Sequence, residues 1–150
     1  MVIEMQRRLA QTRGAGVKAR VLLADDHEWM LEEMEDLLAS DFDVVGKVTN
    51  GIAMVQEASR LRPDLIVTDL AMPGLTGIEA SREALRTRPG VPIVLLTMHS
   101  ERQFLEAALS AGVRGYVDKL TAGEDLIPAM RCALKGETFI SPALKEAGTA

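Results

Sequence analysis

Residues 65–74 read Leu-Ile-Val-Thr-Asp-Leu-Ala-Met-Pro-Gly, a short apolar run that passes directly into Asp69. An uninterrupted apolar run of this length predicts a strand that is covered on both faces, as in a parallel sheet. The chain contains four further runs of strand length, at residues 20–24, 43–48, 91–97 and 114–117. Glycines interrupt the runs at 43–48 and 114–117, as is seen in edge strands. The sequence therefore predicts five strands.

The segments between these runs carry apolar residues at helical spacing, as residues 31–38 do. Thr121 and Glu124 predict a capping box at the start of the last helix, and Pro128 is expected to bend that helix or delay its start. Alternating strands and helices predict a parallel sheet with right-handed crossovers. The predicted fold class is therefore α/β, a doubly wound, five-stranded parallel sheet in the flavodoxin-like order 2-1-3-4-5 with helices on both faces.

The composition excludes several classes of protein. The 150 residues fit one domain, and a hydrophobic share of 47% excludes a disordered chain. A single cysteine, Cys132, excludes an internal disulfide and fits a reducing compartment. The apolar runs stay well below the ~20 residues that a membrane helix needs. We therefore expect a cytoplasmic protein that does not insert into a membrane.

The charge is unevenly distributed along the chain. Residues 1–20 carry five basic side chains and one acidic side chain, whereas residues 21–150 carry 12 basic and 21 acidic ones. The acidic body argues against nucleic-acid binding by this domain, because such binding depends on Lys and Arg. The basic start lacks the apolar segment of a secretory signal. We interpret residues 1–19 as an N-terminal extension, 20–144 as the domain, and 145–150 as a tail or the start of a linker.

Polar side chains follow four of the predicted strands. Asp25 and Asp26 come after the first strand, Asp69 ends the third, Thr97 ends the fourth, and Lys119 follows the fifth. In the predicted strand order, the carboxyl ends of these strands meet at one edge of the sheet, where ligands of such folds bind. We therefore expect these five side chains to lie close together.

Three carboxylates in one place repel each other by about 3 kcal/mol per pair at an effective dielectric of 20. A divalent cation would offset this repulsion, and oxygen ligands favour Mg²⁺, with Mn²⁺ as an alternative. Lys119 and Thr97 are suited to bind phosphoryl oxygens, and Asp69 is the candidate nucleophile for an aspartyl-phosphate. Taken singly, each residue has a plainer interpretation, such as a helix N-cap for Asp25 or Asp26. Their convergence favours the functional interpretation.

The same residues carry a resemblance to a known family. From about residue 20 to residue 144, the chain resembles the response-regulator receiver domains of bacterial two-component systems. The motifs that carry the resemblance are Asp25-Asp26, Asp69 within D-L-A-M-P-G-L-T-G, Thr97 within L-T-M-H, Tyr116 and Lys119.

The resemblance implies a phosphorylation-dependent signalling switch. Asp69 would accept a phosphoryl group from a sensor histidine kinase or a phosphotransfer protein, and Lys119 would bind that group. Asp26, Asp69 and the backbone carbonyl of Ala71 would ligate Mg²⁺ directly, and Asp25 would act through water. The remaining roles concern the output of the domain. The expected switch pair is Thr97 and Tyr116, with Met98, His99 and His27 as candidate modulators.

The expected chemistry is limited to phosphotransfer onto Asp69 and its reversal. Phosphorylation is expected to be read out by homodimerisation. One candidate surface combines the fourth helix with Arg102 and Glu106, the edge strand with Tyr116, and the last helix with Arg131 and Lys135. The alternative surface is the first helix, near Trp29 and Met30, together with the last helix. The runs L-L-T-M-H, G-Y-V-D-K-L and G-E-T-F-I-S-P-A-L resemble the NarL/FixJ-type subfamily, which has LuxR-type output. Members of that subfamily usually continue into a helix-turn-helix DNA-binding domain. The chain is therefore interpreted either as a stand-alone receiver or as the receiver of a longer transcription factor, and the S-P-A-L ending favours the latter.

One position departs from the family pattern. Many receivers have a proline directly after the lysine, whereas Leu120 follows Lys119 here. A cis peptide before a residue other than proline costs about 2.5–4 kcal/mol, so the path of this loop is left open by the sequence.

Three other interpretations compete with a phosphorylatable receiver. A phosphatase of the haloacid-dehalogenase type would need D-x-D after the first strand, where this chain has adjacent aspartates followed by His27-Glu28. A flavodoxin-like cofactor module would need a loop of backbone N–H donors there. A degenerate receiver that serves only as an interaction module would not need the complete acidic set, Thr97 and Lys119.

Overall fold

A computed structural model describes residues 17–149, and the side chains as far as residue 145. Most of the predicted N-terminal extension, residues 1–16, lies outside the described residues. The strands are β1 (Ala19–Ala24), β2 (Phe42–Val48), β3 (Leu65–Asp69), β4 (Ile93–Thr97), β5 (Gly115–Asp118) and β6 (Phe139–Ile140). The α-helices are α1 (Glu28–Leu38), α2 (Gly51–Leu61), α3 (Gly77–Thr87), α4 (Arg102–Ala111), α5 (Ala122–Leu134) and α6 (Pro142–Thr149). A 3₁₀ turn, Lys119–Thr121, joins β5 to α5.

The sheet is parallel throughout, in the order β2-β1-β3-β4-β5-β6. The predicted α/β class and the order 2-1-3-4-5 are therefore confirmed. The prediction of five strands is wrong by one, because Phe139 and Ile140 pair with Gly115 and Tyr116. The two residues of β6 are too few to produce a periodic signal in the sequence. As a consequence, Tyr116 lies between two strands and not on the edge of the sheet.

Both faces of the sheet are covered by helices, which is the doubly wound arrangement that the sequence predicts. Alternate residues of β1 enter different clusters, with Val21 and Leu23 on one face and Leu22 and Ala24 on the other. Helices α1 and α5 supply the first cluster, and α2, α3, α4 and α6 supply the second. Within residues 17–149, no helix combines the length and the apolarity that crossing a bilayer requires.

The start of the last long helix differs from the prediction. The Thr121 hydroxyl accepts no capping bond from the first turn of α5, and it donates to the Asp125 carboxylate at 2.6 Å. The capping box predicted for Thr121 and Glu124 is therefore wrong. Pro128 does not delay α5, which begins at Ala122. Helix α6 spans residue 144, and the domain boundary placed there stays a prediction.

The loop from β3 to α3 bonds to the first residues of two helices, and both of these residues are glycines. The Gly77 N–H donates to the Leu70 carbonyl at 2.7 Å, and the Gly51 N–H donates to the Pro73 carbonyl at 3.4 Å. A Cβ at Gly77 would lie 2.0 Å from the Asp69 carbonyl oxygen, and a Cβ at Gly51 would lie 2.3 Å from a carbonyl of the same loop. Only glycine permits this approach of backbone to backbone.

We predict that Gly77→Ala destabilises the protein by about 1–3 kcal/mol, because its Cβ forces the backbone of Asp69 to move. The matched control is Gly123→Ala in α5, where an added Cβ meets no heavy atom within 4 Å. Helix propensity predicts a gain of up to about 1 kcal/mol for that control. Urea denaturation measures both values, and a Gly77→Ala variant as stable as the control contradicts the close approach.

Candidate functional site

The carboxyl ends of four strands bring the predicted side chains to one edge of the sheet. Asp25 follows β1, Asp69 ends β3, Thr97 ends β4 and Lys119 follows β5. Parallel strands all end at the same edge, so one side chain from each is enough to build a cluster there. Asp25 and Thr97 are fully buried, and Asp69 is 5% exposed.

Lys119 holds the centre of this cluster. Its ammonium lies 2.9 Å from Oδ2 of Asp25 and 3.3 Å from Oδ2 of Asp69, and the lysine side chain is only 14% exposed. The contact with Asp25 is an ion pair because opposite charges lie within 2.9 Å, although within the described part of the chain the buried Oδ2 accepts no hydrogen bond of regular geometry. The other oxygen of Asp69, Oδ1, accepts the Leu70 N–H at 2.8 Å. One ammonium is thus shared between two buried carboxylates.

Burial and the neighbouring charge of Asp25 raise the pKa of Asp69 above its ordinary value of 3.8. The Lys119 ammonium and the Leu70 N–H act in the opposite direction, since both stabilise the charged form. Desolvation is the largest of these effects. The net result is a carboxylate whose charge the folded state disfavours.

His27 joins the acidic cluster, in which the sequence analysis gave it no ligand role. Its N–H donates to Oδ1 of Asp25 at 2.9 Å, and its ring Nδ1 lies 3.1 Å from Oδ1 of Asp26. Asp25, Asp26, His27 and Asp69 each offer one ligand atom, and these four atoms all lie within 4.8 Å of one another. The signal in the sequence was the direct adjacency of His27 to the aspartate pair.

This acidic cluster is compatible with Mg²⁺. Three carboxylates supply the hard oxygen ligands that Mg²⁺ requires. Asp26 and Ala71 are both exposed, and Ala71 lies in the loop after β3. A residue on the solvent side of a metal ion can be exposed and still act as a ligand. The ligand role of the Ala71 carbonyl stays a prediction.

Thr97 and Tyr116, the predicted switch pair, are joined through the backbone of His99. The His99 N–H donates to Oγ1 of Thr97 at 2.9 Å, and the Tyr116 hydroxyl donates to the His99 carbonyl at 2.8 Å. The Tyr116 ring is fully buried. Burial, followed by the charge of Glu101, raises the pKa of Tyr116 far above its ordinary value, so the hydroxyl remains a donor. Because the ring is fully buried, it points into the domain; this is the inward position of Tyr116.

The candidate modulators Met98 and His99 differ in their surroundings. Met98 is 59% exposed beside Thr97. The His99 ring is half-buried and packs against Phe104, with ring centroids 5.3 Å apart. A modulating role for either residue stays a prediction.

The path of the lysine loop, which the sequence left open, is now defined. No cis peptide occurs within residues 17–149, so the bond between Lys119 and Leu120 is trans. The Asp118 side chain accepts the Leu120 N–H at 2.9 Å and starts the 3₁₀ turn. Leu120, which stands where many receivers have proline, is 78% exposed.

The chain is similar to known response regulators over most of its length. It is 35% identical to the response regulator GacA of Pseudomonas viridiflava over 130 residues, which are 85% of this chain and 60% of that protein. The chain thus spans about three fifths of the length of this relative. A LuxR-family two-component response regulator from Aurantimonas sp. SI85-9A1 has a similar structure, with a TM-score of 0.84 and 30% identity, over 89% of this chain and 96% of that one.

The chain is also similar in structure to the response regulator RcsB of Salmonella typhimurium, with a TM-score of 0.80. That RcsB structure is described as showing conformational dynamism for DNA interaction. Its identity is 28%, over 88% of this chain and 67% of that one. The model of the response regulator receiver domain matches residues 21–131, which include Asp25, Asp69, Thr97 and Lys119 at the four strand ends. The chain therefore belongs to the response regulator receiver domain family.

Proposed function

We propose that this domain is a phosphorylation-dependent switch in which Asp69 accepts a phosphoryl group. The observation that carries the proposal is the contact of one ammonium, that of Lys119, with the buried carboxylates of Asp25 and Asp69. In the transfer, an Asp69 oxygen forms a bond to phosphorus while the bond between phosphorus and the donor breaks. The phosphodonor is a sensor histidine kinase or a phosphotransfer protein. The reverse step, hydrolysis of the aspartyl-phosphate, is the only other chemistry that we assign.

Asp26, Asp69 and the Ala71 carbonyl would hold Mg²⁺ directly, and Asp25 would act through water. Mn²⁺ is an acceptable substitute for the same oxygen ligands. When bound, the metal supplies positive charge that offsets the carboxylate repulsion and the charge on the phosphoryl oxygens. The compatibility of the donor set supports this assignment.

Lys119 and Thr97 would bind the remaining phosphoryl oxygens. The Lys119 ammonium already lies within 3.3 Å of an Asp69 oxygen, so an oxygen carried on Asp69 is within its reach. The Thr97 hydroxyl accepts the His99 N–H, and its own proton remains available to donate. Both groups would interact more strongly with the phosphorylated state than with the free state, which is the condition for a shift in population.

The switch would pass through the backbone of His99. If Thr97 moves toward the phosphoryl group, its bond to the His99 N–H is lost, and the loop that holds the Tyr116 hydroxyl is released. Moving such an equilibrium from 1:99 to 99:1 takes about 5.5 kcal/mol of differential interaction. A few charge-assisted hydrogen bonds supply this amount.

We propose that phosphorylation leads to homodimerisation and, through a helix-turn-helix domain beyond this chain, to control of transcription in the cytoplasm. The similarity to RcsB, which interacts with DNA, supports this output. A stand-alone receiver is the alternative. Three of the charged side chains on the expected dimer surfaces pair within the chain, since Arg102 binds Glu106 and Arg131 binds Asp41. A dimer would have to exchange these pairs, which contribute little individually.

We predict that acetyl phosphate with Mg²⁺ adds one phosphoryl group to the full chain, acid-stable and base-labile, which intact-mass spectrometry detects. Asp69→Asn abolishes the addition, because the amide is a poor nucleophile. The matched control, Asp43→Asn, alters an exposed aspartate of β2 and keeps the addition. A modification that persists in Asp69→Asn contradicts the assignment.

A second prediction concerns stability without metal. Because the pKa of Asp69 is raised, the folded state disfavours its charge by about 1.4 kcal/mol per pKa unit. The stability that protonated Asp69 contributes is present below its ordinary pKa of 3.8 and is lost as the pH rises through the raised folded-state pKa. In EDTA, Asp69→Asn should therefore raise the free energy of unfolding at neutral pH, and the gain should shrink as the pH falls toward 4.

Urea unfolding at a series of pH values measures this gain. Asp43→Asn, on the exposed side of β2, should change stability by less than about 0.5 kcal/mol at every pH. An Asp69→Asn variant that is less stable than the parent protein at neutral pH would show that the Asp69 charge stabilises the fold.

A third prediction concerns the switch. Tyr116 is the only tyrosine in the sequence, so its ring gives one set of NMR signals. Beryllofluoride with Mg²⁺, which mimics the phosphoryl group, should shift these signals because the bond to the His99 carbonyl is released. Asp69→Asn, treated in the same way, should show no shift. Unchanged Tyr116 signals in the treated parent protein would refute the coupling.

A further inference from the structure

Ser141 lies between β6 and α6 and is fully buried. Its N–H donates to the Tyr116 carbonyl at 2.9 Å. Its hydroxyl accepts the Asp118 N–H at 3.0 Å and donates to Oδ2 of Asp125 at 2.7 Å. One small side chain thus connects the C-terminal segment to the end of β5 and to the first turn of α5.

Asp125 extends this connection to the other side of the lysine loop. The same oxygen that accepts the Ser141 hydroxyl, Oδ2, also accepts the Thr121 hydroxyl at 2.6 Å. We call Ser141 and Asp125 the C-terminal clamp. The clamp binds Asp118 and Thr121, and these two residues flank Lys119 and Leu120 in the chain.

The geometry of the loop matters because Lys119 has a long side chain. Four rotatable bonds separate its ammonium from the backbone, and ordering such a chain costs conformational entropy. The ammonium nevertheless lies 2.9 Å from Asp25 and 3.3 Å from Asp69. Holding the Asp118 backbone on one side of Lys119 and the Thr121 side chain on the other restricts where the ammonium can reach, which is how supporting residues preorganise a site.

We propose that Ser141, acting through Asp125, is a positioning residue for Lys119, so that the C-terminal segment completes the phosphoryl-binding site. The proposal rests on the function proposed above for Lys119. The residues that match the receiver family model, 21–131, end before Ser141. Serine suits the role because a single hydroxyl donates to a carboxylate and accepts an N–H at once.

The first test measures the loop directly, without phosphorylation. The Leu120 N–H donates to the Asp118 side chain and not to either member of the clamp. In the full chain, Ser141→Ala should speed hydrogen exchange of this amide about fivefold, the equivalent of one net hydrogen bond. The control is Ser81→Ala, which removes an equally buried hydroxyl that bonds within α3 to the Gly77 carbonyl. It should leave exchange of the Leu120 amide unchanged.

The second test is a double-mutant cycle on the rate of phosphorylation by acetyl phosphate. Ser141→Ala should slow the reaction about fivefold in the parent protein and should have no further effect in a Lys119→Ala background. Thr121→Val, which removes the other bond to Asp125, should act in the same direction. It provides a second variant if Ser141→Ala does not fold.

The outcomes separate this inference from the proposed function. If Leu120 exchanges equally in Ser141→Ala and Ser81→Ala, the clamp does not order the loop and the inference is overturned. It is also overturned if Ser141→Ala slows phosphorylation by the same factor with and without Lys119. A parent protein that is not phosphorylated at all refutes the proposed function, while faster Leu120 exchange in Ser141→Ala would still support the positioning of the loop.

Discussion

Two buried carboxylates of like charge, Asp25 and Asp69, face one ammonium at the edge of the sheet. In water these groups would be hydrated separately, but the fold removes most of that water and places them within ion-pair distance of Lys119. The pKa of Asp69 is raised because burial and the charge of Asp25 destabilise its ionised form. The rest of the structure has to hold these charges together, and a parallel sheet does so by ending each strand at the same edge.

The sheet and its helices supply the stability that the charged cluster does not. Apolar side chains cover both faces of the sheet, so the strand ends are fixed by packing and not by their polar residues. The close approach at Gly77 then sets the position of the Asp69 backbone from the side of α3. Natural proteins commonly tolerate local destabilisation, such as the repulsion between Asp25 and Asp69, at sites where charge is required for function.

The same edge of the sheet connects the acidic cluster to the rest of the domain through short polar links. Thr97 and Tyr116 share the backbone of His99, and the lysine loop is bound by Ser141 from the C-terminal segment. These links are hydrogen bonds that involve backbone groups. In the function proposed above, phosphorylation of Asp69 acts on these polar links, while the apolar layers resist continuous deformation.

The sequence by itself determined the α/β class, the order of the first five strands and the family, because these depend on long apolar runs and on residues that directly follow strands. It also placed Asp25, Asp69 and Lys119 at one edge, since the topology leaves parallel strand ends no other place. Only the tertiary structure decided the sixth strand and the inward position of Tyr116. The structure also shows that the Thr121 hydroxyl donates to Asp125 and forms no capping box. These features depend on contacts between residues far apart in the chain or on local side-chain geometry, and neither leaves a periodic signal in the sequence.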